Sequence, residues 1–354
     1  MSVFKGKVKK IRSITVSMSI MLVCILLVSA CGAKDTNSSQ AGQNDKDPKS
    51  SQASPSPQAS TEASTAAEQT AAPDAATRTV KDAFGETTIP AKPSRIVVLN
   101  TAALDNLLAL GVKPIGAPYS ISVNANFFKY LASQAEGVEN TGTVDQPNVE
   151  TIAKLNPDLI IAYKDDHEAI YEDLKRIAPV YVTTASPGQW KQALREHADA
   201  VNKSADGDKL LADFEARIAK FKADMGTKLT EKTVSLIRPR ADHIRVQMAG
   251  SYSGAIVAEA GIPRPAAHEG NMEHHVPITE EQIADMDSDV IISFGRENEA
   301  DFFNDKIQKN PVWKTLTAVK NNEVHMLDWE TWLSGAGIQS SNLILDDLIR
   351  IFNK

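Results

Sequence analysis

The stretch Asp206–Leu229 constrains the fold of this 354-residue chain more than any other segment. Apolar side chains recur in it at spacings of three and four, which places them on one face of a helix and the charged side chains on the other. The apolar positions are Leu210, Leu211, Phe214, Ile218, Phe221, Met225 and Leu229. At about 1.5 Å per residue such a helix is roughly 35 Å long, about the width of a small domain. We interpret it as a rigid connection between two lobes; the alternative is a surface helix within a single domain.

Short apolar runs alternate with helical patterns on both sides of this stretch. Arg95–Asn100 and Asp158–Tyr163 precede it, and Val290–Phe294 follows it. Continuous apolar strands separated by helices are typical of parallel sheets that are covered on both faces. We therefore predict an α/β fold of two Rossmann-like lobes with parallel sheets, joined by one long α-helix, with a ligand cleft between the lobes. The predicted boundaries are 78–203 for the N-terminal lobe, 204–230 for the linking helix and 231–354 for the C-terminal lobe.

The first 30 residues have the features of an export signal. Five basic residues precede the apolar run Ile20–Val28, which is too short for a membrane span. The run leads into Val28-Ser29-Ala30-Cys31-Gly32, which resembles a bacterial lipobox, where the cysteine is lipidated and becomes the mature N-terminus. We predict a lipoprotein signal peptide at 1–30 and lipidation at Cys31; the alternative is an uncleaved anchor helix.

The segment 31–77 consists mainly of Ser, Ala, Thr, Gln and Pro. Such a composition cannot bury enough apolar surface to order itself, so we predict a disordered tether. It would hold the folded body near the cell membrane, lipid-anchored on the extracytoplasmic face. Removing residues 1–30, with five basic and no acidic side chains, changes the formal charge from −7 to −12. That charge argues against nucleic acid as a partner, and we expect a monomer.

Five stretches of the sequence resemble one known family. They are Asp82–Pro90, Arg95–Leu99, Asn148–Ile161, Asn310–Val324 and Trp332–Gly337. Together they are similar to the helix-linked substrate-binding lipoproteins of ABC transporters, which deliver ferric siderophores, haem or cobalamin. The iron-siderophore branch is the most similar. The resemblance implies a receptor that captures a ferric siderophore and delivers it to a membrane permease.

The resemblance also implies that Glu150 and Glu281 dock onto arginines of the permease, one from each lobe. Two separated charges fix orientation and speed encounter more than they add affinity. A weak internal repeat supports the pair, because each glutamate lies two residues before an isoleucine, Ile152 or Ile283. The alternatives are that both are helix-start glutamates favoured by the dipole, and that Glu280 takes the place of Glu281.

A ferric siderophore is usually anionic and rich in oxygen, so its pocket needs cations, hydrogen-bond donors and aromatic walls. In an extended chain Arg238 and Arg240 face the same way, and Arg245 follows close behind. Similar relatives hold the iron complex with arginines in this region, and Trp332 matches a tryptophan that lines their cleft. The alternatives are surface arginines in a polar hairpin and a core tryptophan.

In the first lobe, Asn100, Tyr119 and Lys164 lie just beyond predicted strand ends, where ligands of such sheets bind. Lys164 could meet a carboxylate of the ligand; ordinary loop residues are the alternative for all three. Some relatives that bind carboxylate siderophores carry arginines in this lobe, and this sequence has none at these positions. The siderophore class, carboxylate or hydroxamate, therefore stays open.

The run His268–His275 contains residues that could ligate a metal. Met272 occupies the place of the second histidine of an HExxH motif, and a zinc site in the cleft would also need ligands from the first lobe. We predict a solvated loop near the cleft rim, no metal ligands and no cofactor, with Fe³⁺ entering only as part of the chelate. Haem, cobalamin or zinc receptors of the same class are alternatives. So is a small-molecule hydrolase, although we find no phosphate loop and no GxSxG elbow.

Overall fold

The computed structural model describes residues 76–119, 127–296 and 299–353. The predicted signal peptide, the lipidation site Cys31 and residues 31–75 of the predicted tether lie outside the described residues. Within the described part of the chain, no helix combines the length and the apolar character needed to cross a bilayer.

The first lobe is built on a five-stranded parallel sheet in the order β5-β4-β3-β6-β7. A hairpin of β1 and β2 lies beside it, because the amide of Ala83 donates to the carbonyl of Val182 at 2.9 Å. The elements are β1 Thr77–Asp82, β2 Gly85–Pro90, β3 Ile96–Val98, α1 Thr101–Ala109, β4 Gly116–Ala117, β5 Glu139–Asn140, α2 Val149–Lys154, β6 Leu159–Tyr163, α3 Lys164–His167, α4 Tyr171–Lys175, β7 Val180–Thr183 and α5 Trp190–Ala200.

The strands of this sheet are covered on both faces. Ile96, Val97 and Val98 are each at most 1% exposed, as expected for an apolar run in a parallel sheet. Beyond β3 the chain turns directly into α1, and Asn100 caps that helix by accepting a hydrogen bond from the amide of Ala103 at 2.7 Å. The carboxyl end of the sheet therefore presents polar residues beside helix starts.

The linking helix α6 spans Ser204–Met225, and a 3₁₀ turn, Gly226–Thr230, follows it. Its buried apolar side chains are Leu211, Phe214, Ile218, Phe221 and Met225, five of the seven positions of the apolar stripe; Leu229 is buried in the 3₁₀ turn. The helix packs against α5 at its start, where a Cβ on Gly207 would lie 2.7 Å from the Cβ of Ala198. This long amphipathic element connects the two sheets through buried contacts.

The second lobe has a five-stranded sheet in the order β10-β9-β8-β11-β12. This sheet is mixed, whereas the sequence predicted a parallel one: β8, β11 and β12 are parallel, but β9 runs antiparallel to both of its neighbours, β8 and β10. The reason is the tight turn after β8, in which the amide of Arg240 donates to the carbonyl of His243 at 2.8 Å, since so short a connection can join only antiparallel strands. The elements are β8 Val234–Pro239, β9 Ile244–Gln247, α7 Tyr252–Glu259, β10 His275–Ile278, β11 Val290–Ser293, α8 Ala300–Phe302, α9 Thr317–Lys320, β12 Val324–Met326 and α10 Ile338–Phe352.

Helix α10 returns to the first lobe and packs against α1 and α6. The carboxylate of Asp105 on α1 accepts hydrogen bonds from the amides of Gln339 at 2.8 Å and Ser340 at 3.0 Å. A Cβ on Gly337 would lie 2.3 Å from Cγ of Asp105, so this close approach requires glycine. The lobes therefore share a buried junction besides the linking helix.

Candidate functional site

Four arginines collect at the carboxyl ends of β8 and β11, which are neighbouring parallel strands. Arg238 is on β8 and pairs with Arg245 on β9, so their backbones lie directly opposite each other. Arg240 lies in the turn after β8, and Arg296 follows β11. The three arginines predicted from sequence therefore meet in one place, together with a fourth. We call these four residues and Glu299 the arginine group.

Glu299 is the anion of the arginine group and is only 6% exposed. Arg238 donates to it twice, from Nε at 3.1 Å and from Nη2 at 2.7 Å, and Arg240 donates to the same carboxylate. Burial favours a higher pKa for Glu299. Hydrogen bonds from Arg238 and the Arg296 amide, together with the Arg238 and Arg240 charges, outweigh burial and lower the pKa. Glu299 therefore stays ionised, and four cations face one anion.

Arg245 and Arg296 are less well compensated. Desolvation, followed by the charges of neighbouring arginines, lowers the pKa of Arg245, and desolvation together with the Arg238 charge does the same for Arg296. The Nε atom of Arg296 is buried and has no hydrogen-bond partner among the described residues. A buried guanidinium nitrogen without a partner is costly in the free protein, and an oxygen-bearing ligand would satisfy it.

The structure places Trp332 in the core instead of in the cleft wall. Its side chain is fully buried, packs on Phe294 at a ring-centroid distance of 5.6 Å, and donates from Nε1 to Asp347 at 2.9 Å. The tryptophan beside the arginine group is Trp329, whose ring centroid lies 5.1 Å from the guanidinium carbon of Arg296. Trp329 thus offers an aromatic side chain beside the arginine group, three residues before the predicted position.

Sequence reasoning missed Arg296, Glu299 and Trp329. One signal could have indicated Arg296, because it follows an apolar strand just as Arg238 ends one. The role of Glu299 depends on its contact with Arg238, which is 61 positions away in sequence, so no local pattern reveals it.

The loop 268–275 differs in part from the solvated loop that the sequence predicted. Met272 is 72% exposed, but His268 is buried, and desolvation lowers its pKa to about 4. Desolvation, followed by the charge of Arg245, also lowers the pKa of His274 and His275. Across the ranges that the structure describes, no three His, Cys, Asp or Glu side chains are grouped so as to hold a metal ion.

A cavity of about 160 Å³ opens at the carboxyl ends of β3, β6 and β7 in the first lobe. It is lined by Asn100, Thr101, Ala102, Val144, Tyr163, Asp166, Thr183, Ala185, Ser186, Pro187, Trp190, Ala193, His197 and, from the second lobe, Ala336. We call it the first-lobe cavity. Of the three residues predicted in this lobe, only Asn100 lines it.

Tyr119 and Lys164 lie elsewhere. The amide of Tyr119 donates to the carbonyl of Gly142 at 3.0 Å, which fixes the chain after β4. The Lys164 ammonium lies 5.8 Å from the ring centroid of Phe84, in the turn between β1 and β2. The assignment of Tyr119 and Lys164 to the ligand site remains a prediction. The contact with Phe84 directs the Lys164 side chain toward the hairpin of β1 and β2.

The first-lobe cavity and the arginine group border the same loop. Val144 lines the cavity, and the charge of the adjacent Asp145 acts on Arg296. His167 holds this loop, because its Nε2 lies 3.1 Å from the carbonyl oxygen of Val144. The two lobes thus present a charged surface and a small cavity to one shared space.

The two glutamates predicted to dock are exposed, one on each lobe. Glu150 lies in the first turn of α2, which Asn148 caps by accepting a hydrogen bond from the amide of Thr151 at 3.0 Å. Glu281 lies in a 3₁₀ turn, Glu280–Met286, and a hydrogen bond from the Thr279 hydroxyl lowers its pKa. Glu280 is half-buried, so Glu281 is the more accessible of the adjacent pair.

Two α/β lobes, one linking helix and a polar site at the facing sheet ends define a two-lobed solute-binding protein. The family model described as periplasmic binding protein matches residues 96–331, and the chain belongs to that family. This confirms the family resemblance seen in the sequence.

The relatives are binding proteins. The chain is 38% identical over 291 residues to a protein of Bacillus subtilis named probable siderophore-binding lipoprotein YfiY, covering 78% of this chain and 88% of that protein. It is 29% identical to the Fe(3+)-citrate-binding protein YfmC of Bacillus subtilis, over 95% of this chain and 96% of that protein. The crystal structure of Staphylococcus aureus SirA complexed with staphyloferrin B is 32% identical and matches with a TM-score of 0.71, covering 78% of this chain and 98% of that one. This match confirms the predicted two-lobed α/β fold.

Proposed function

We propose that the protein is the extracytoplasmic receptor of an ABC importer and that it captures an anionic ferric siderophore. The iron enters as a chelate, so the chelator and not the protein supplies the metal ligands. The names of the relatives support this proposal, since they include siderophore-binding and Fe(3+)-citrate-binding proteins. The same names favour a binding protein over the hydrolase alternative.

The arginine group is the observation that carries the ligand assignment. It brings four guanidinium groups near one carboxylate that pairs with two of them, in a chain whose formal charge is −7. Such a protein repels anions unless cations are gathered locally. Planar guanidinium groups match carboxylate and other oxygen-rich anions, and Nε of Arg296 has no partner among the described residues.

The remaining assignments are proposals of the same kind. Lipidation of Cys31 would anchor the protein to the membrane, and the segment 31–77 would act as the tether. Glu150 and Glu281 would meet the permease, one from each lobe, and the receptor would act as a monomer. The exposure of both glutamates supports their availability for a partner.

Ligand titration tests the proposal. Trp329 beside Arg296 makes intrinsic fluorescence a suitable readout, because a ligand on the arginine group alters the environment of the indole. We expect saturable binding of ferric citrate or another anionic ferric chelate, with no response to free Zn²⁺, haem or cobalamin. Tight binding of one of these three ligands, without binding of any ferric chelate in the panel, would identify a different receptor.

A further inference from the structure

His197 on α5 lines the first-lobe cavity and is only 1% exposed. Its hydrogen-bonding state follows from its neighbour Asn106. The side-chain oxygen of Asn106 accepts from the amide of Ile338 at 2.9 Å, so its nitrogen is the atom that faces His197 Nδ1, also at 2.9 Å. An amide nitrogen can only donate, so Nδ1 must be the acceptor.

The proton of His197 therefore resides on Nε2. Desolvation lowers the pKa of His197 to about 3, so the ring is neutral and carries a single N–H. Nε2 has no hydrogen-bond partner among the described residues. Buried donors are almost always paired in native proteins, so this N–H indicates an acceptor that the described residues do not supply.

The walls of the first-lobe cavity restrict what that acceptor can be. Among the described residues that line it there is no Lys or Arg, and the ionisable carboxyl group is Asp166, whose pKa desolvation raises. An anionic group would thus be disfavoured. Trp190 and Ala193 provide apolar surface. At about 160 Å³ the cavity is smaller than the roughly 300–1,000 Å³ of pockets that bury a whole drug-sized ligand, so it fits part of a chelator.

We propose that the first-lobe cavity is a specificity subsite for an uncharged arm of the chelator, and that His197 Nε2–H donates to an amide or hydroxyl oxygen of that arm. The inference rests on the proposed function, because the arginine group would hold the charged end. Val144 lines the cavity and the charge of the adjacent Asp145 acts on Arg296, and the proposal places one ligand across both sites. His197 is then a specificity-determining residue.

The test compares two ferric chelates in fluorescence titrations of the full soluble chain. Ferric citrate has no uncharged arm; the second probe is the ferric complex of two citrates joined by amide bonds to butane-1,4-diamine. Ala193→Leu fills the cavity without changing the His197 network. We expect it to weaken the diamide complex about tenfold and ferric citrate less than about twofold. Ala153→Leu, on the exposed face of α2, is the matched control and should change neither.

A second measurement addresses the donor directly. Nitrogen-15 NMR of labelled histidine should show the Nε2–H tautomer for His197, and its resonance should shift when the diamide complex of gallium is added. An Nδ1–H tautomer, no shift, or an equal fold change in affinity for both chelates on Ala193→Leu would overturn the subsite. A parent protein that binds neither ferric chelate would instead overturn the proposed function.

Discussion

The ends of the two sheets differ in what they can recognise. The second-lobe sheet ends in the arginine group, where Arg238 and Arg240 pair with the buried carboxylate of Glu299 and two further arginines lie nearby. The first-lobe sheet ends in a small cavity whose described walls carry no cation. Under the proposed function, one lobe would compensate the charge of the ligand, and the other would select its shape and uncharged groups. Strand geometry explains the position of both, because parallel strands direct their carboxyl ends to one edge.

The carboxylates of the two regions differ as well. The pKa of Glu299 is lowered because arginine contacts outweigh its burial. Burial raises the pKa of Asp105, at the junction of α1 and α10, to about 6, since its partners are peptide amides and hydroxyls and no full charge opposes the desolvation. The same chemical group thus serves charge compensation in one region and helix docking in the other.

The largest expected effect concerns the exposed glutamates Glu150 and Glu281, one on each lobe. Reversing both charges, Glu150→Lys with Glu281→Lys, should abolish uptake of the ferric chelate by whole cells, because both contacts with the permease become repulsive. Titration in solution should be unchanged, since both side chains are exposed. Glu280→Lys is the matched control and should retain transport. Parallel losses of binding and uptake would place these glutamates in the ligand site or the core.

The Asp105 carboxyl should give the next largest effect, on stability. Its folded pKa of about 6 lies above the ordinary 3.8, so its contribution is complete below pH 3.8 and is lost as the pH rises through 6. The difference is about 3 kcal/mol. Between about pH 4 and pH 7, the free energy of unfolding of the parent, measured with urea, should fall by this amount relative to that of Asp105→Asn.

The difference between parent and variant is the quantity to measure. Desolvation lowers the pKa values of His197 and His268, so both destabilise the protein as the pH falls and oppose the slope from Asp105. Both proteins contain these histidines, so their contribution cancels. A difference that does not vary with pH would show that Asp105 ionises normally at the junction.

Arg238→Ala tests the charged side of the comparison. Charge-assisted contacts are worth about 1.5–3 kcal/mol, so affinity for an anionic ferric chelate should fall about ten- to a hundred-fold. The apo protein should also lose stability, because Glu299 keeps its burial without its bidentate partner. Arg176→Ala, an exposed first-lobe arginine paired with Asp173, is the control for both measurements. Unchanged affinity would favour the alternative that Arg238 is a surface arginine in a polar hairpin.

Regular patterns made much of the fold predictable from sequence. The stripe of Asp206–Leu229 became α6, and the apolar runs became the central strands, because periodicity determines which face is buried. The arginines were found because they are on or beside one strand. The mixed second sheet was not found, since Ile244–Gln247 looks the same in either direction until its turn is known.

The parts of the site that escaped prediction depend on contacts distant in sequence. Trp332 and Trp329 have the same local chemistry, and only packing on Phe294 decides which is buried. Glu299 acquires its role from Arg238, and the His197 tautomer depends on Ile338 in another helix. Long-range contacts of this kind leave no periodic trace in one sequence.

Lys164→Ala should have the smallest effect on ligand affinity. It tests directly whether the first lobe also compensates the charge of the ligand. If Lys164 contacts the ligand, as the sequence suggested, the first lobe also compensates charge, and the loss should resemble that of Arg238→Ala. The structure instead places its ammonium 5.8 Å from the Phe84 ring centroid, a cation–π contact worth about 0.5–1 kcal/mol at an exposed site. We therefore expect less than about a twofold change in affinity for ferric citrate, and a small loss of stability that Phe84→Leu reproduces. A tenfold loss of affinity would return Lys164 to the ligand site and remove the distinction between the two lobes.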